Sequence, residues 1–228
     1  MPSASGDVEQ PRLPRELERN HHEFVSRIRE WLESCERGLD ALSLFTRFGL
    51  LVYEHAARTS LIARGDRAHL YTRHVLDSLN PVSLFDSAPR SILDVGSGGG
   101  FPGIPLAIAW PRTSVTLLES RDRKAGFLEM AVRDLGLKNV KVVCDRLERF
   151  APTSEAMRPE ASFVRAVGGL GGVVRTLKGI SAEGGRWVYY LGEDTAVEPL
   201  RQDLGPIEAR EERGQFGGRL LLGTFQGG

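Results

Sequence analysis

The apolar positions of this chain change rhythm once, close to Pro89. Before that point they recur at spacings of three and four: Phe24, Ile28, Trp31 and Leu32, then Leu42, Phe45, Phe48 and Leu51, then Leu70, Val75, Leu76 and Leu79. A 3.6-residue repeat gathers such positions on one face, so residues 15–89 are predicted as a helical N-terminal extension without strands. After it, short apolar runs alternate with helical segments. Strands are predicted at Ser91–Val95, Ser114–Glu119 and Val140–Cys144, with helices at Ile104–Ala109 and Asp122–Leu135 between them. The alternation continues through Ala161–Val164, Leu170–Ile180, Arg186–Leu191 and Thr195–Leu204. Ile207–Arg213 is charged enough for an edge strand, and Gly217-Gly218 would turn it into Arg219–Phe225. The expected fold is therefore α/β, with a Rossmann-like doubly wound sheet over residues 90–228, parallel except for a C-terminal antiparallel hairpin.

Composition narrows the class. A chain of 228 residues can bury a core as one domain with an appendage. Its 30 basic and 30 acidic side chains cancel, so any contact with RNA must come from a local patch rather than an overall field. Cys35 and Cys144 stand far apart and in no metal-ligand spacing, which reads as a reduced cytoplasmic protein with neither metal nor disulfide scaffold. His21, His22, His55 and His69 also lack ligand company and read as surface or core residues. No apolar run reaches membrane-spanning length, and residues 1–14, polar and broken by proline, read as a flexible tail rather than an export signal.

The densest chemical signal is Asp94-Val95-Gly96-Ser97-Gly98-Gly99-Gly100-Phe101-Pro102-Gly103. A strand that stops in glycines and turns toward a helix leaves backbone N–H groups open to a nucleotide-like ligand. A dinucleotide fingerprint starting at Gly96 wants glycine where Phe101 stands, and that ring would crowd a pyrophosphate, so an NAD-linked oxidoreductase loses ground. What remains is Asp94 before the turn, Gly96, Gly98 and Gly100 within it, and Glu119 closing the second strand, where a carboxylate can accept from both ribose hydroxyls. S-adenosylmethionine has a ribose and no phosphate and fits this set; the competing reading is a tight structural turn.

Together with Arg73-His74-Val75-Leu76-Asp77-Ser78-Leu79 and Arg165-Ala166, the stretch Asp94 to Pro105 resembles the RsmG (GidB) family, bacterial 16S ribosomal RNA guanine-N7 methyltransferases. The likeness runs in order from about Ser60 to Leu191. It implies a class I S-adenosylmethionine-dependent methyltransferase fold with a helical N-terminal extension, and S-adenosyl-L-methionine as cofactor. The implied substrate is the guanine at position 527 in the decoding-region loop of 16S ribosomal RNA, met as RNA or as small ribosomal subunit; a monomer is expected. By position it implies cofactor contacts at Gly96, Phe101, Leu147, Glu148 and Arg165.

Several of these residues also have plainer readings. Phe101 can cover the cofactor or simply join the core. Leu147 and Glu148 can read and pack an adenine, or form an ordinary helix first turn; Asp145 can meet the adenine amino group or act as an N-cap. Arg165 ends a strand at the ligand crevice, a poor place for an unpaired charge, which favours a functional role. Arg73, His74, Asp77 and Ser78 share a helix face that either helps hold the RNA or target base, or is solvated with an intrahelical Arg73–Asp77 pair. Arg58, Arg64, Arg67, Arg121, Arg123 and Lys124 are further basic candidates.

Guanine N7 carries an in-plane lone pair and no proton, so methylation there needs alignment and exclusion of water rather than a base. Arg73, His74 and Arg165 are accordingly expected to position rather than abstract, with Asp94 as the acid nearest the sulfonium. Two departures from the family concern the substrate side: its Asn-Leu-Thr appears as Ser60-Leu61-Ile62, and its Lys-Gly as Leu191-Gly192. A divergent methyltransferase acting on another RNA, a protein or a small molecule, and an inactive member that binds cofactor and RNA, remain the alternatives.

Overall fold

The computed structural model describes residues 13–34, 38 and 40–226, so most of the expected tail and Cys35 lie outside the described residues. Two helices open the chain, α1 (Arg15–Ser34) and α2 (Asp40–Thr59). α1 buries Leu17, Phe24, Ile28 and Leu32 along one stripe, and α2 buries Phe45, Phe48 and Val52. Gly49 of α2 admits the ring of Tyr71, which a Cβ there would meet at 2.3 Å.

The third apolar repeat does not become an α-helix. A 3₁₀ turn covers Arg64–His69, a wider π-helical turn covers Tyr71–Leu76, and a second 3₁₀ turn covers Asn80–Leu84 around Pro81. The amide of Asn20 on α1 holds the start of the π turn: its Oδ1 accepts from the backbone N–H of Tyr71 at 2.8 Å and of Thr72 at 3.3 Å. Packing therefore selects the wider turn, a form that recurs at functional sites.

The sheet comprises β1 (Ser91–Val95), β2 (Ser114–Leu118), β3 (Val140–Val143), β4 (Ala161–Arg165), β5 (Arg186–Leu191), β6 (Arg210–Arg213) and β7 (Arg219–Thr224). Its order is β3-β2-β1-β4-β5-β7-β6, with β1 parallel to both β2 and β4, and β7 antiparallel to β5 and β6. The helices α3 (Gly103–Ala109), α4 (Asp122–Asp134), α5 (Leu170–Ile180) and α6 (Val197–Leu204) cover it. This is the expected class I fold, and the order reverses between β1 and β4, where ligands of such sheets bind.

Two predicted elements shrink by more than one residue. β6 starts at Arg210, because Gly205-Pro206 breaks the chain after α6 and the Ile207 N–H returns to the Leu204 carbonyl instead of a strand partner. α6 starts at Val197 rather than Thr195, whose N–H bonds Gly192 in a turn. Residues 144–149 form a turn, so the helix first turn considered for Leu147 and Glu148 is absent.

Pleating sorts the core into two layers. Ile92, Phe163, Val188 and Tyr190 join the N-terminal helices and α3 on one face, whereas Leu93, Val95, Val164, Trp187 and Leu191 join α5 and α6 on the other. Since side chains alternate along a strand, Asp94 falls on the face of Ile92 and Arg165 on the face of Phe163. The carboxyl ends of β1 and β4 thus present Asp94 and Arg165 toward the side walled by the N-terminal extension.

Candidate active site

β1 runs into Gly96, whose φ of +69° suits glycine, and the N–H groups of Gly96 and Ser97 bond the Leu118 carbonyl at 2.8 and 3.0 Å. Gly98, at φ +56°, donates to Glu119 Oε2 at 2.8 Å, while Arg121 N–H donates to Glu119 Oε1 at 2.9 Å. Glu119 therefore braces the glycine turn against the start of α4, and each of its oxygens keeps one lone pair for a ligand hydroxyl. Lys124 reaches the same place: its Nζ lies 3.9 Å from where a Cβ on Gly98 would stand.

The remaining glycines of the turn serve packing. A Cβ on Gly99 would stand 2.9 Å from the Leu61 carbonyl oxygen, one on Gly100 2.7 Å from Ile104 Cδ1, and one on Gly103 2.6 Å from Asp94 Oδ2. Gly99 thus lets the segment after α2 rest on the turn. Gly103 lets α3 begin against Asp94, to whose Oδ2 it donates its N–H at 3.0 Å.

Asp94 is fully buried, and its Oδ1 has no hydrogen-bond partner. Burial pushes its carboxyl up to about 7, against the pull of the neighbouring Ser97 hydroxyl, the Gly103 N–H and the positive charge of Arg165. Arg165 Nη2 donates to Asp77 Oδ2 at 2.9 Å and to the Arg73 carbonyl at 2.9 Å, and its guanidinium lies 5.5 Å from the centre of the Tyr190 ring. Its buried Nη1 finds no partner. An unpartnered acceptor and an unpartnered donor, both buried at the ends of adjacent strands, are costly without a ligand to satisfy them.

The wall over these groups comes from the extension. Asp66, in the first 3₁₀ turn, accepts from Arg73 Nη1 at 3.0 Å and His74 Nε2 at 3.2 Å. Burial opposes the Asp66 charge, but the bonds from Arg73 and His74 outweigh it and hold the carboxyl below its ordinary value. Burial, aided by the charge of Arg165, lowers His74 to about 4 despite Asp66. The imidazole is then neutral near pH 7 and carries its proton on Nε2. Phe101 stands between Phe48 and His74 with ring centres 5.0 and 5.1 Å away, so it is both core residue and crevice wall. The considered Arg73–Asp77 pair is not formed: the π turn and the strand below hand Arg73 to Asp66 and Asp77 to Arg165.

Other candidates lie apart from this cluster. Asp145 Oδ1 bonds the Arg146 N–H at 2.8 Å and Arg149 at 3.0 Å, so it starts a turn and caps no helix. Leu147 is buried in the second core layer and Glu148 is exposed. Arg67 stacks over Tyr53 at 4.4 Å, and His21 is buried against Thr46. Among the described residues no group of His, Cys, Asp and Glu is placed to hold a metal, and no helix is long and apolar enough to cross a membrane. A separate cleft of about 670 Å³ lies at the amino end of β5, lined in part by Arg186, Arg201 and Arg210, away from the glycine turn.

Residues 41–207 match the GidB family, described as rRNA small subunit methyltransferase G. The chain belongs to this family. A ribosomal RNA small subunit methyltransferase G of Stenotrophomonas maltophilia is 40% identical over 217 residues, covering 89% of this chain and 97% of that protein. One of Laribacter hongkongensis is 41% identical over 147 residues, 64% of this chain and 69% of that protein. A solved SAM-dependent methyltransferase from Aquifex aeolicus superposes with a TM-score of 0.51 at 16% identity, over 66% of this chain and 92% of that one, a likeness of fold.

Both departures of this GidB chain now have places. Leu61, in the Ser60-Leu61-Ile62 segment, is the residue whose carbonyl sits on Gly99. Leu191 is buried in the second core layer, and the adjoining Gly192 carbonyl accepts from Arg219 at 3.1 Å. Sequence reasoning missed Asp66, Tyr190 and Gly99. Only Tyr190 had a legible signal, the two-residue alternation that puts it on the face of Val188.

Proposed function

We propose that this GidB chain transfers a methyl group from S-adenosylmethionine to N7 of the guanine at position 527 of 16S ribosomal RNA, by direct displacement without a dedicated base. The observation that carries the reading is the pair of unsatisfied buried atoms, Asp94 Oδ1 and Arg165 Nη1, at the strand ends where the sheet order reverses. A ligand with an ammonium and a carboxylate on one arm and a ribose diol on the other matches an acid, an arginine and the spare lone pairs of Glu119. Gly96 and Gly98 would pass its backbone-facing side, Phe101 would wall one flank, and Leu147, with Asp145 and Glu148, would border the adenine.

The donor supplies an electrophilic methyl group on a sulfonium, and a guanine N7 that has no proton to lose asks only for alignment. Asp94 stabilises cationic charge beside the turn. Arg165, oriented by Asp77, binds an anionic group and excludes water from the site. Arg73 and the neutral His74, both held by Asp66, face the target base and its RNA strand. Lys124 and the exposed arginines at 58, 64, 121 and 123 supply the local basic patch that a neutral protein needs for RNA.

Incubation with methyl-labelled S-adenosylmethionine and either 16S RNA or small ribosomal subunits, followed by mapping of N7-methylguanine, tests this reading. One labelled guanine at position 527 is the expected result. Donor binding without RNA labelling, or label at another atom or nucleotide, overturns the proposed specificity.

A further inference from the structure

Asn80 is 1% exposed and has every hydrogen-bonding position of its amide occupied. Nδ2 donates to the Asp77 carbonyl at 3.0 Å and to Asp77 Oδ1 at 2.8 Å, while Oδ1 accepts from the N–H groups of Phe216 and Gly218, each at 3.0 Å. The donors end on the turn that carries Asp77, and the acceptor binds the tip of the β6–β7 hairpin. That tip is shaped around the amide: a Cβ on Gly214 would stand 2.3 Å from Asn80 Cβ, and one on Gly218 2.1 Å from Asn80 Nδ2. Gln215 Nε2 adds a bond to the Leu79 carbonyl at 3.3 Å, and Arg27 Nη2 holds the tip from α1 through the Phe216 carbonyl at 2.9 Å.

Asp77 is consequently gripped on both oxygens, Oδ2 by Arg165 and Oδ1 by Asn80. Burial pushes its carboxyl up, while the charge of Arg165 and the bond from Asn80 pull it down. Arg165 from β4 and Tyr190 from β5 are the charged and titratable groups that face it, and the hairpin tip adds backbone amides.

We propose that Asn80 is a positioning residue of the methyl-transfer site, tying the hairpin tip to Asp77 and thereby fixing the guanidinium of Arg165 so that Nη1 is kept for the ligand. The proposal rests on the reading of the site as a donor site. It gives the C-terminal hairpin a function, since the last strands of the sheet then support a strand-end arginine at its centre.

Asn80→Ala removes all four bonds; Asn80→Asp keeps an acceptor for the two amides but loses both donors and sets a carboxylate beside Asp77. In the ligand-free protein, the carboxyl carbon of Asp77 is titrated by NMR, with Asp77→Asn as assignment. Its pKa should rise by about one unit in either variant. Calorimetry with S-adenosylmethionine should then show affinity reduced several-fold relative to the wild type at a pH below the Asp77 midpoint measured in the variant, and less at a pH above it, where the carboxylate is restored. Arg27→Ala, which removes one bond to the Phe216 carbonyl and leaves the tip's bonds to Asn80 in place, should leave both measurements as in the wild type. An equal loss of affinity at both pH values with the Asp77 titration unmoved, or no loss at all, overturns the proposal. Should Asn80→Ala not fold, Asn80→Asp carries the same comparison. A wild-type protein that binds no donor refutes the donor site, and the Asp77 titration still decides whether Asn80 governs that carboxylate.

Discussion

Arg165 on β4 and Asp77 beside the π turn form an ion pair of 2.9 Å that fastens the N-terminal extension to the centre of the sheet. The same Nη2 bonds the Arg73 carbonyl, and the Tyr190 hydroxyl below it donates to the Ser78 carbonyl at 2.8 Å. The extension is thus held to the strand ends by side chains of β4 and β5, and one pair serves both stability and the site.

Arg165→Ala should weaken S-adenosylmethionine binding by roughly 10- to 100-fold, the worth of about 1.5–3 kcal/mol for a hydrogen bond to a charged group. Urea unfolding should also show a loss of about 1–3 kcal/mol, because Asp77 is left half-buried without its cation. Arg165→Lys should recover part of the stability and little of the binding, since an ammonium cannot replace the planar fork. Unchanged calorimetric affinity in both variants would contradict the assignment.

Donor binding beside Asp94 should be linked to protons. Its carboxyl is raised to about 7 in the folded chain from an ordinary 3.8, so the folded state holds the extra proton between those values. Its contribution to stability is fully present below about pH 4 and is lost as pH rises through about 7. A cation bound beside it favours the carboxylate, so donor affinity should increase from pH 6 to pH 8 with release of a proton. Calorimetry in buffers of different ionisation enthalpy measures that release, and Asp94→Asn should abolish it.

His74 works in the opposite window. Its folded pKa of about 4 lies below the ordinary 6.5, so the neutral ring contributes stability above pH 6.5 that is lost as pH falls toward 4, roughly 3 kcal/mol for this buried group. NMR of the ring should show no titration between pH 6 and 9. Asp66→Ala removes the acceptor of both Arg73 and His74. It should raise the KM for RNA several-fold while leaving donor affinity near wild type; a donor defect of equal size would place Asp66 on the wrong side of the crevice.

Glycine substitutions separate packing from flexibility. Gly99→Ala brings a Cβ to 2.9 Å from the Leu61 backbone, which must move, so thermal unfolding should report a loss of about 1–3 kcal/mol. Gly126, exposed within α4 with nothing near its Cβ position, should gain about 0.5–1 kcal/mol when replaced by alanine. Equal effects at both positions would remove the argument that the turn is a seat for the segment after α2.

Much of the architecture was legible in the chain. Ser91–Val95, Arg186–Leu191 and Leu170–Ile180 appear with the boundaries that their apolar rhythm predicts. The 70–79 repeat predicts a helix, yet Asn20 and Gly49 select a π turn there, a choice made by packing against α1 and α2. Likewise Gly100 looked like a ligand glycine, and its Cβ position is filled by Ile104 and Phe48. Local spacing cannot distinguish the two uses, because both demand an absent side chain.

The sequence by itself determined the alternation of strands and helices, the strand that ends in Asp94 and glycines, and the acid at Glu119, since these follow from periodicity and turn chemistry over a few residues. Tertiary structure alone decided the partners: Asp66 for His74, Asp77 for Arg165, and a hairpin tip for Asn80. Charges and amides pair across whatever distance the fold closes, and the pairing is chosen by the cost of leaving any of them buried without a partner.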